Sequence, residues 1–300
     1  MRDHEWHEYY QAFPEYFSAA TVRDGCQPQK REHADPRGSI VLVHGLSDSP
    51  YFMQTIASHF HERHHYNVYL PLLQCHGLKE PAGMDEVTVE EWKRNVAFAL
   101  DQAHQATPEH VSVGGLSTGG ALSFYNAITN AKVNGNLFLF SAALGLLFMN
   151  NGLLGRMSTS LLKVGFLQRF LDNRNDERPL LGDDPYKYEY VDHDGALQLV
   201  RLIDELNALK KPFSQTRPLP VRVFAAHSEV DDTANIKSIK DLEKRARPGE
   251  MDAYYIERAA NVTHAGLVLD QDVIGFSGDV KATHNVRFDE MIRRIDLFIG

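Results

Sequence analysis

A serine between two glycines, at the end of a short β-branched run, is the sequence feature that most constrains the fold. Val111, Ser112 and Val113 lead into the G-x-S-x-G turn that holds Ser117, and residues 120–125 have helical character. Such a turn joins a strand to a helix, and its glycines stand where side chains would collide with crowded backbone. We expect it to raise the Ser117 hydroxyl above a sheet edge, beside the first helical amides. The alternative is an ordinary glycine-rich turn with a solvent-facing serine.

Apolar strands alternate with amphipathic helices on both sides of this turn. Predicted strands cover residues 39–43, 67–71, 136–141, 220–226 and 252–256, and predicted helices cover 52–63, 88–105, 195–209, 234–245 and 287–299. Thr88 or Asp85 would cap the second of these helices. Continuous apolar strands are typical of a sheet that is buried on both faces. The order predicts an α/β fold with a doubly wound, mostly parallel sheet flanked by helices.

Two segments depart from this alternation. Residues 1–38 are polar and aromatic, and we interpret them as an N-terminal extension with one or two short strands. Residues 143–219 contain no evident strand, and leucine, methionine and phenylalanine recur at helical spacing over 153–166. We therefore predict a helical cap at 143–219, inserted into a core of residues 1–142 and 220–300. Its apolar side chains would pack on the core or, where they face Ser117, form an acyl pocket.

Composition excludes several classes of function. The net charge is −9 with no basic block, which argues against nucleic acid as a partner. Cys26 and Cys75 provide neither a disulfide framework nor metal-ligand spacing. The first residues are charged and no apolar run is long enough to span a bilayer, so we expect a cytoplasmic protein without integral membrane contact. The sequence does not indicate an oligomeric state.

A serine hydroxyl needs a base to accept its proton, and the base needs a carboxylate to orient it. In one arrangement the three follow successive strands in the order serine, acid, histidine. Ser117 follows one strand, and three acids follow the first strand after the cap: Glu229, Asp231 and Asp232. All three are candidates for the carboxylate. At least one of them is expected to cap the helix that starts near Thr233.

Two histidines compete for the role of base. His264 lies a few residues after the last predicted strand, and the small residues Ala265 and Gly266 leave room for a site. His284 lies near the start of the final helix, where a surface or capping role is expected. We therefore favour His264.

The same arrangement needs two backbone N–H groups to stabilise a tetrahedral oxyanion. Thr118, directly after the serine, would supply one, and Leu46 in the loop after the first strong strand would supply the other. His44 in that loop is expected to form structural hydrogen bonds. The histidines at 59, 61, 64 and 65 cluster near a helix end, and His61 and His65 have the i,i+4 spacing that helical metal ligands can have. No acidic or thiolate pattern accompanies them. We favour a solvated helix end there over a metal site.

The sequence resembles the serine hydrolases of the α/β-hydrolase superfamily, in particular bacterial carboxylesterases and monoacylglycerol-lipase-like enzymes. The resemblance is carried by His44–Gly45–Leu46–Ser47–Asp48–Ser49–Pro50, Pro71, His76–Gly77, Glu91–Trp92 and Gly115–Leu116–Ser117–Thr118–Gly119–Gly120. It favours Asp231 as the acid, because His-Ser-x-x-Asp matches the family's Gly-x-x-Asp turn. Two departures are Cys75 and Ser228, where the family often has glycine.

The resemblance implies hydrolysis of a carboxylic ester through an acyl-enzyme, without a cofactor or metal. It implies a small acyl ester or monoacylglycerol-like substrate. The alternatives are transfer to an alcohol other than water, cleavage of an amide or thioester, and a ligand-binding protein that retains the fold without catalysis.

Overall fold

The computed structural model describes residues 4–81, 83–145 and 179–300, in which seven strands form one central sheet. They are β1 (Gln29–Arg31), β2 (Gly38–Val43), β3 (Tyr66–Leu70), β4 (Val111–Leu116), β5 (Asn136–Phe140), β6 (Arg222–Ser228) and β7 (Met251–Ile256). Their spatial order is β1-β3-β2-β4-β5-β6-β7, and only the pairing of β1 with β3 is antiparallel. The prediction of a mostly parallel sheet is confirmed.

Helices cover both faces of the sheet. The described helices are α1 (His7–Ala12), α2 (Gln54–His64), α3 (Val89–Ala106), α4 (Thr118–Thr129), α5 (His193–Lys210), α6 (Ile236–Arg245) and α7 (Phe288–Ile299). Thr88 caps α3, since its hydroxyl accepts a hydrogen bond from the Glu91 amide. Alternate residues of β2 enter different cores, because successive strand side chains point to opposite faces. Residues of α2 and α7 pack together in the core that also contains Ile40 and Leu42 of β2.

The parallel register brings the carboxyl ends of four strands side by side. Leu116 of β4 pairs with Phe140 of β5, Phe140 with Ala226 of β6, and Ala226 with Tyr254 of β7. The segments that follow these strands therefore leave the sheet at one edge. In open parallel sheets this is the edge where ligands bind.

The N-terminal segment contains a helix that the sequence did not predict. Strand β1 matches the expected short strand, but α1 precedes it. Its aromatic side chains are buried with Trp6, which packs at 5.2 Å from Tyr9 and 5.4 Å from Tyr69 between ring centroids. This segment is therefore anchored to the core by aromatic burial, although α1 is shorter than isolated helices need to be for stability.

In the segment predicted to be a cap, α5 extends the expected helix by two residues at its start and one at its end. The apolar repeat at 153–166 lies outside the described residues, and the limits of the cap remain a prediction. A small antiparallel pair, β8 (Val273–Ile274) with β9 (Val280–Ala282), was not predicted. Over the described ranges, no helix combines the length and the apolar character needed to cross a membrane.

Candidate active site

Ser117 occupies a strained turn between β4 and α4. Its φ is 54° and its ψ is −115°, outside the regions that most non-glycine residues adopt. The turn is fixed from both sides, because the Ser117 amide donates to the Phe140 carbonyl and the Ala143 amide donates to the Ser117 carbonyl, each at 3.0 Å. Strain of this kind persists only where surrounding structure holds it, and it occurs often at functional sites. The expected strand–turn–helix unit is present.

The glycines of this turn allow close backbone contact. A Cβ built on Gly115 would lie 2.5 Å from the Val43 carbonyl oxygen, and one on Gly119 would collide with the same group. Helix α4 can thus approach β2 only with glycine at these positions.

We therefore expect Gly119→Ala to destabilise the fold by about 4 kcal/mol or more, because the obstacle is backbone that cannot turn aside. The matched control is Gly249→Ala. Gly249 has a φ of 85° but open space around its Cβ position, so only about 1 kcal/mol is expected. Urea unfolding of the two variants measures the difference, and equal losses would refute the steric argument.

The structure brings Asp231 and His264 together. His264 Nδ1 lies 2.7 Å from Asp231 Oδ2, and the Asp231 side chain is fully buried. The other carboxylate oxygen, Oδ1, accepts hydrogen bonds from the Thr233 and Ala234 amides, both at 2.9 Å. Asp231 therefore orients the histidine and also closes the turn before α6.

The state of charge of this pair follows from its contacts. Burial opposes ionisation of Asp231. The hydrogen bond from His264 and the electrostatic attraction to His264 and His227 outweigh this effect and lower the pKa of the carboxyl. An ionised carboxylate only accepts hydrogen bonds, so the proton of neutral His264 resides on Nδ1. Its Nε2 is then left with a lone pair, which is the state a general base requires.

The structure shows other contacts for the competing residues. The Asp232 side chain accepts a hydrogen bond from the Thr233 hydroxyl at 3.2 Å and is exposed. Glu229 is held at the end of β6 by its amide, which donates to the Ile256 carbonyl. His284 pairs with Asp272 at 2.7 Å on the surface, with its side chain 44% exposed. Among the described residues no hydrogen bond joins the Ser117 hydroxyl to His264, so the contact between them stays a prediction.

The loop after β2 packs against Ser117. A Cβ on Gly45 would lie 3.4 Å from the Ser117 Cβ. His44 holds this loop through both ring nitrogens: Nε2 accepts from the Leu73 amide at 3.1 Å, and Nδ1 donates to the Gly45 carbonyl at 2.8 Å. Burial lowers the pKa of His44 well below its usual value, in agreement with this neutral form. The expected structural role of His44 is confirmed.

Two further residues fasten the same loop, and the sequence did not single them out for this role. The His76 ring donates to the Leu46 carbonyl through Nε2, at 2.5 Å. The Tyr188 amide donates to the Ser47 carbonyl, and the Tyr188 hydroxyl donates to the Cys75 carbonyl, both at 2.8 Å. Fixed donors thus hold the Leu46 and Ser47 carbonyls. The Gly45–Leu46 peptide, which carries the Leu46 N–H, is itself held by the hydrogen bond from His44 Nδ1 to the Gly45 carbonyl. Thr118 begins α4, so its N–H has no carbonyl partner within the helix.

His227 is a second histidine beside the candidate acid. Its side chain is fully buried, and its Nε2 lies 3.5 Å from Asp231 Oδ2. Burial lowers the pKa of His227 to about 4, so it is neutral at pH 7. The sequence did show a histidine in a buried strand, four residues before the acid. It did not indicate that His227 and His264 would both lie beside the same oxygen of Asp231.

This buried imidazole predicts acid sensitivity. In the unfolded chain a histidine titrates near pH 6.5, so the stability due to neutral His227 is present above that pH and is lost as pH falls towards 4. Between pH 7.5 and 4.5 we expect His227→Asn to lose about 2 kcal/mol less unfolding free energy than the unsubstituted protein. Urea unfolding at several pH values measures this, and parallel pH profiles would contradict it.

Comparison with known proteins identifies the family of this chain. Residues 40–272 match the alpha/beta hydrolase family. The chain belongs to that family. A search of curated proteins found no match.

Several solved structures are similar in fold. One is described with the metagenome-derived lipolytic enzymes LipS and LipT (17% identity, 93% of this chain and 98% of the other, TM-score 0.62). Another is a soluble variant of monoglyceride lipase from Saccharomyces cerevisiae in complex with a substrate analog (13%, 95% and 98%, TM-score 0.58). A third is the monoacylglycerol lipase of Paleococcus ferrophilus (13%, 91% and 98%, TM-score 0.56). At these identities the likeness establishes the fold, and the chemistry in those names belongs to those proteins.

Proposed function

We propose that this chain is a carboxylic ester hydrolase that uses Ser117 as nucleophile, His264 as general base and Asp231 as the orienting acid. The observation that carries the proposal is the 2.7 Å contact between His264 and the buried Asp231, at the sheet edge from which Ser117 also emerges. An ordinary glycine-rich turn with a solvent-facing serine would not account for that pair.

The proposed reaction follows from the hydrogen-bonding states derived above. Ser117 Oγ attacks the ester carbonyl while His264 Nε2 accepts its proton, and Asp231 stabilises the imidazolium that forms. The Leu46 and Thr118 amides stabilise the tetrahedral oxyanion. His264 then protonates the leaving alcohol, which leaves an acyl-enzyme on Ser117. Water activated by His264 releases the acid and restores the enzyme.

We propose a small acyl ester or a monoacylglycerol-like molecule as the substrate. The similar folds include proteins named as lipolytic enzymes and monoacylglycerol lipases, which supports this class. We also keep the sequence-based expectation of a cytoplasmic enzyme without a cofactor. The apolar segment expected to select the acyl chain, 153–166, lies outside the described residues, so the chain length has to be measured.

Hydrolysis of a series of p-nitrophenyl esters and monoacylglycerols tests the proposal. We expect saturable hydrolysis of at least one ester in each set, with a preferred acyl length. Adding glycerol as a second acceptor separates hydrolysis from acyl transfer: the proposal predicts free acid as the main product. Turnover of amides or thioesters with no ester hydrolysis would overturn the substrate class.

A further inference from the structure

Helices α2 and α7 bring two histidines and a carboxylate together on the face of the sheet they share. His59 Nε2 and His64 Nε2 both lie 2.7 Å from Asp296 Oδ1. Asp296 is 232 residues beyond His64 in the chain, so no sequence spacing could indicate this cluster. The pair with metal-ligand spacing behaves differently: His61 stacks on His33 at 3.8 Å between ring centroids. From the geometry of the first cluster we infer a binding site for a divalent transition-metal ion, with zinc as the best fit.

The arrangement of donor atoms suits zinc. The two imidazole nitrogens and the carboxylate oxygen all lie within 4.8 Å of one another. Zinc bonds to histidine nitrogen and carboxylate oxygen at about 2.0–2.2 Å, so a central ion needs donors separated by little more than the distances observed. To admit an ion, the two rings must rotate so that the 2.7 Å contacts with Asp296 open.

The chemistry of the donors selects among metals. Imidazole favours zinc, copper and nickel, whereas magnesium and calcium prefer sites made only of oxygen. Each neutral imidazole can carry its proton on Nδ1, which leaves Nε2 free to bind the ion. Three protein ligands would leave a fourth position for water.

The surroundings support the rings without closing the site. His59 and His64 are tilted at 75° to each other, with 5.2 Å between ring centroids. Buried Phe60 packs beside both rings, with its ring centroid 6.3 Å from that of His59 and 5.9 Å from that of His64. The side chains of the three donor residues retain 12–30% exposure, so an ion can reach them from solvent. A bound ion would join the end of α2 to the last turns of α7.

The site is independent of the proposed ester chemistry, so its test does not use activity. Protein without a histidine tag is titrated with Zn²⁺ in equilibrium dialysis, and with Co²⁺ while its visible absorption is recorded. We expect one tight equivalent per chain and Co²⁺ bands typical of low coordination. Because a ligated protein is stabilised by mass action, saturating Zn²⁺ should also raise the unfolding temperature by about 3 °C.

Substitutions identify the ligands. His59→Gln, His64→Gln and Asp296→Asn should each weaken Zn²⁺ binding about 100-fold, at least as much as the loss of an outer-shell partner. His284→Gln is the matched control, because it removes another histidine–aspartate contact of 2.7 Å that has only one histidine. It should leave the tight equivalent unchanged. Circular dichroism checks that each variant is folded, and Asp296→Asn retains an acceptor for the two rings.

Two results would overturn the inference. One is the absence of a saturable first equivalent in the unsubstituted protein. The other is a first equivalent that all three ligand variants retain with unchanged affinity, which would place the ion at other histidines.

Discussion

Replacing Ser117 with alanine should lower the turnover of a p-nitrophenyl ester by about 10⁵-fold or more. The Ser117 hydroxyl oxygen is the atom that forms the acyl-enzyme, and alanine offers no nucleophile in its place. The alanine side chain is smaller than that of serine, so it fits at this position, where φ is 54°, and the fold should persist. Turnover is measured with enough enzyme to detect the residual rate, beside a circular dichroism spectrum and an unfolding curve.

The matched control is Ser123→Ala. Ser123 lies in the same helix, α4, and its side chain is fully buried. Its removal should leave turnover within a few-fold of the unsubstituted protein. Activity in Ser117→Ala close to that of Ser123→Ala would exclude Ser117 as the nucleophile.

The second large effect is expected from Asp231→Asn, which should lower turnover by about 10⁴-fold. The reason is visible in the contacts of the carboxylate. Its Oδ1 accepts from two backbone amides, so asparagine must place its carbonyl oxygen there. The asparagine NH₂ group then faces His264 and donates to Nδ1. This forces the imidazole proton onto Nε2, where it blocks acceptance of the serine proton.

Asp232→Asn and Glu229→Gln serve as controls for the acid. Both residues were candidates from the sequence, and neither makes the 2.7 Å contact with His264. Their substitution should change turnover less than tenfold. A profound loss in either one, with Asp231→Asn active, would mean that the acid has been assigned incorrectly.

His264→Ala and His284→Gln make the same comparison for the base, with the large loss of turnover expected only in His264→Ala.

The sequence predicted the features that depend on the pattern of neighbouring residues. The buried strands β2 and β5 contain continuous apolar runs. The turn at Ser117 is indicated by the glycines that close backbone contact requires. These two signals were enough for the fold class and the position of the serine. The cap of α3 at Thr88 was likewise a local signal.

The features that the sequence could not predict depend on contacts between distant segments. Helix α1 is too short for helical propensity to specify, and it is held by aromatic packing on other elements. The choice among three acids near residue 231 is decided by which carboxylate points at His264. Tertiary structure also determines the hydrogen bond from Tyr188 to the loop around Leu46, and it places His227 beside Asp231.

The central claim is that His264 activates the Ser117 hydroxyl, and a fluorophosphonate probe with mass spectrometry tests it most directly. Such a probe bonds covalently to an activated serine without requiring the natural substrate. The account predicts one adduct per chain, located on the peptide that contains Ser117, absent in Ser117→Ala and strongly slowed in His264→Ala. No adduct on the folded protein, or an adduct on a different residue, would contradict it.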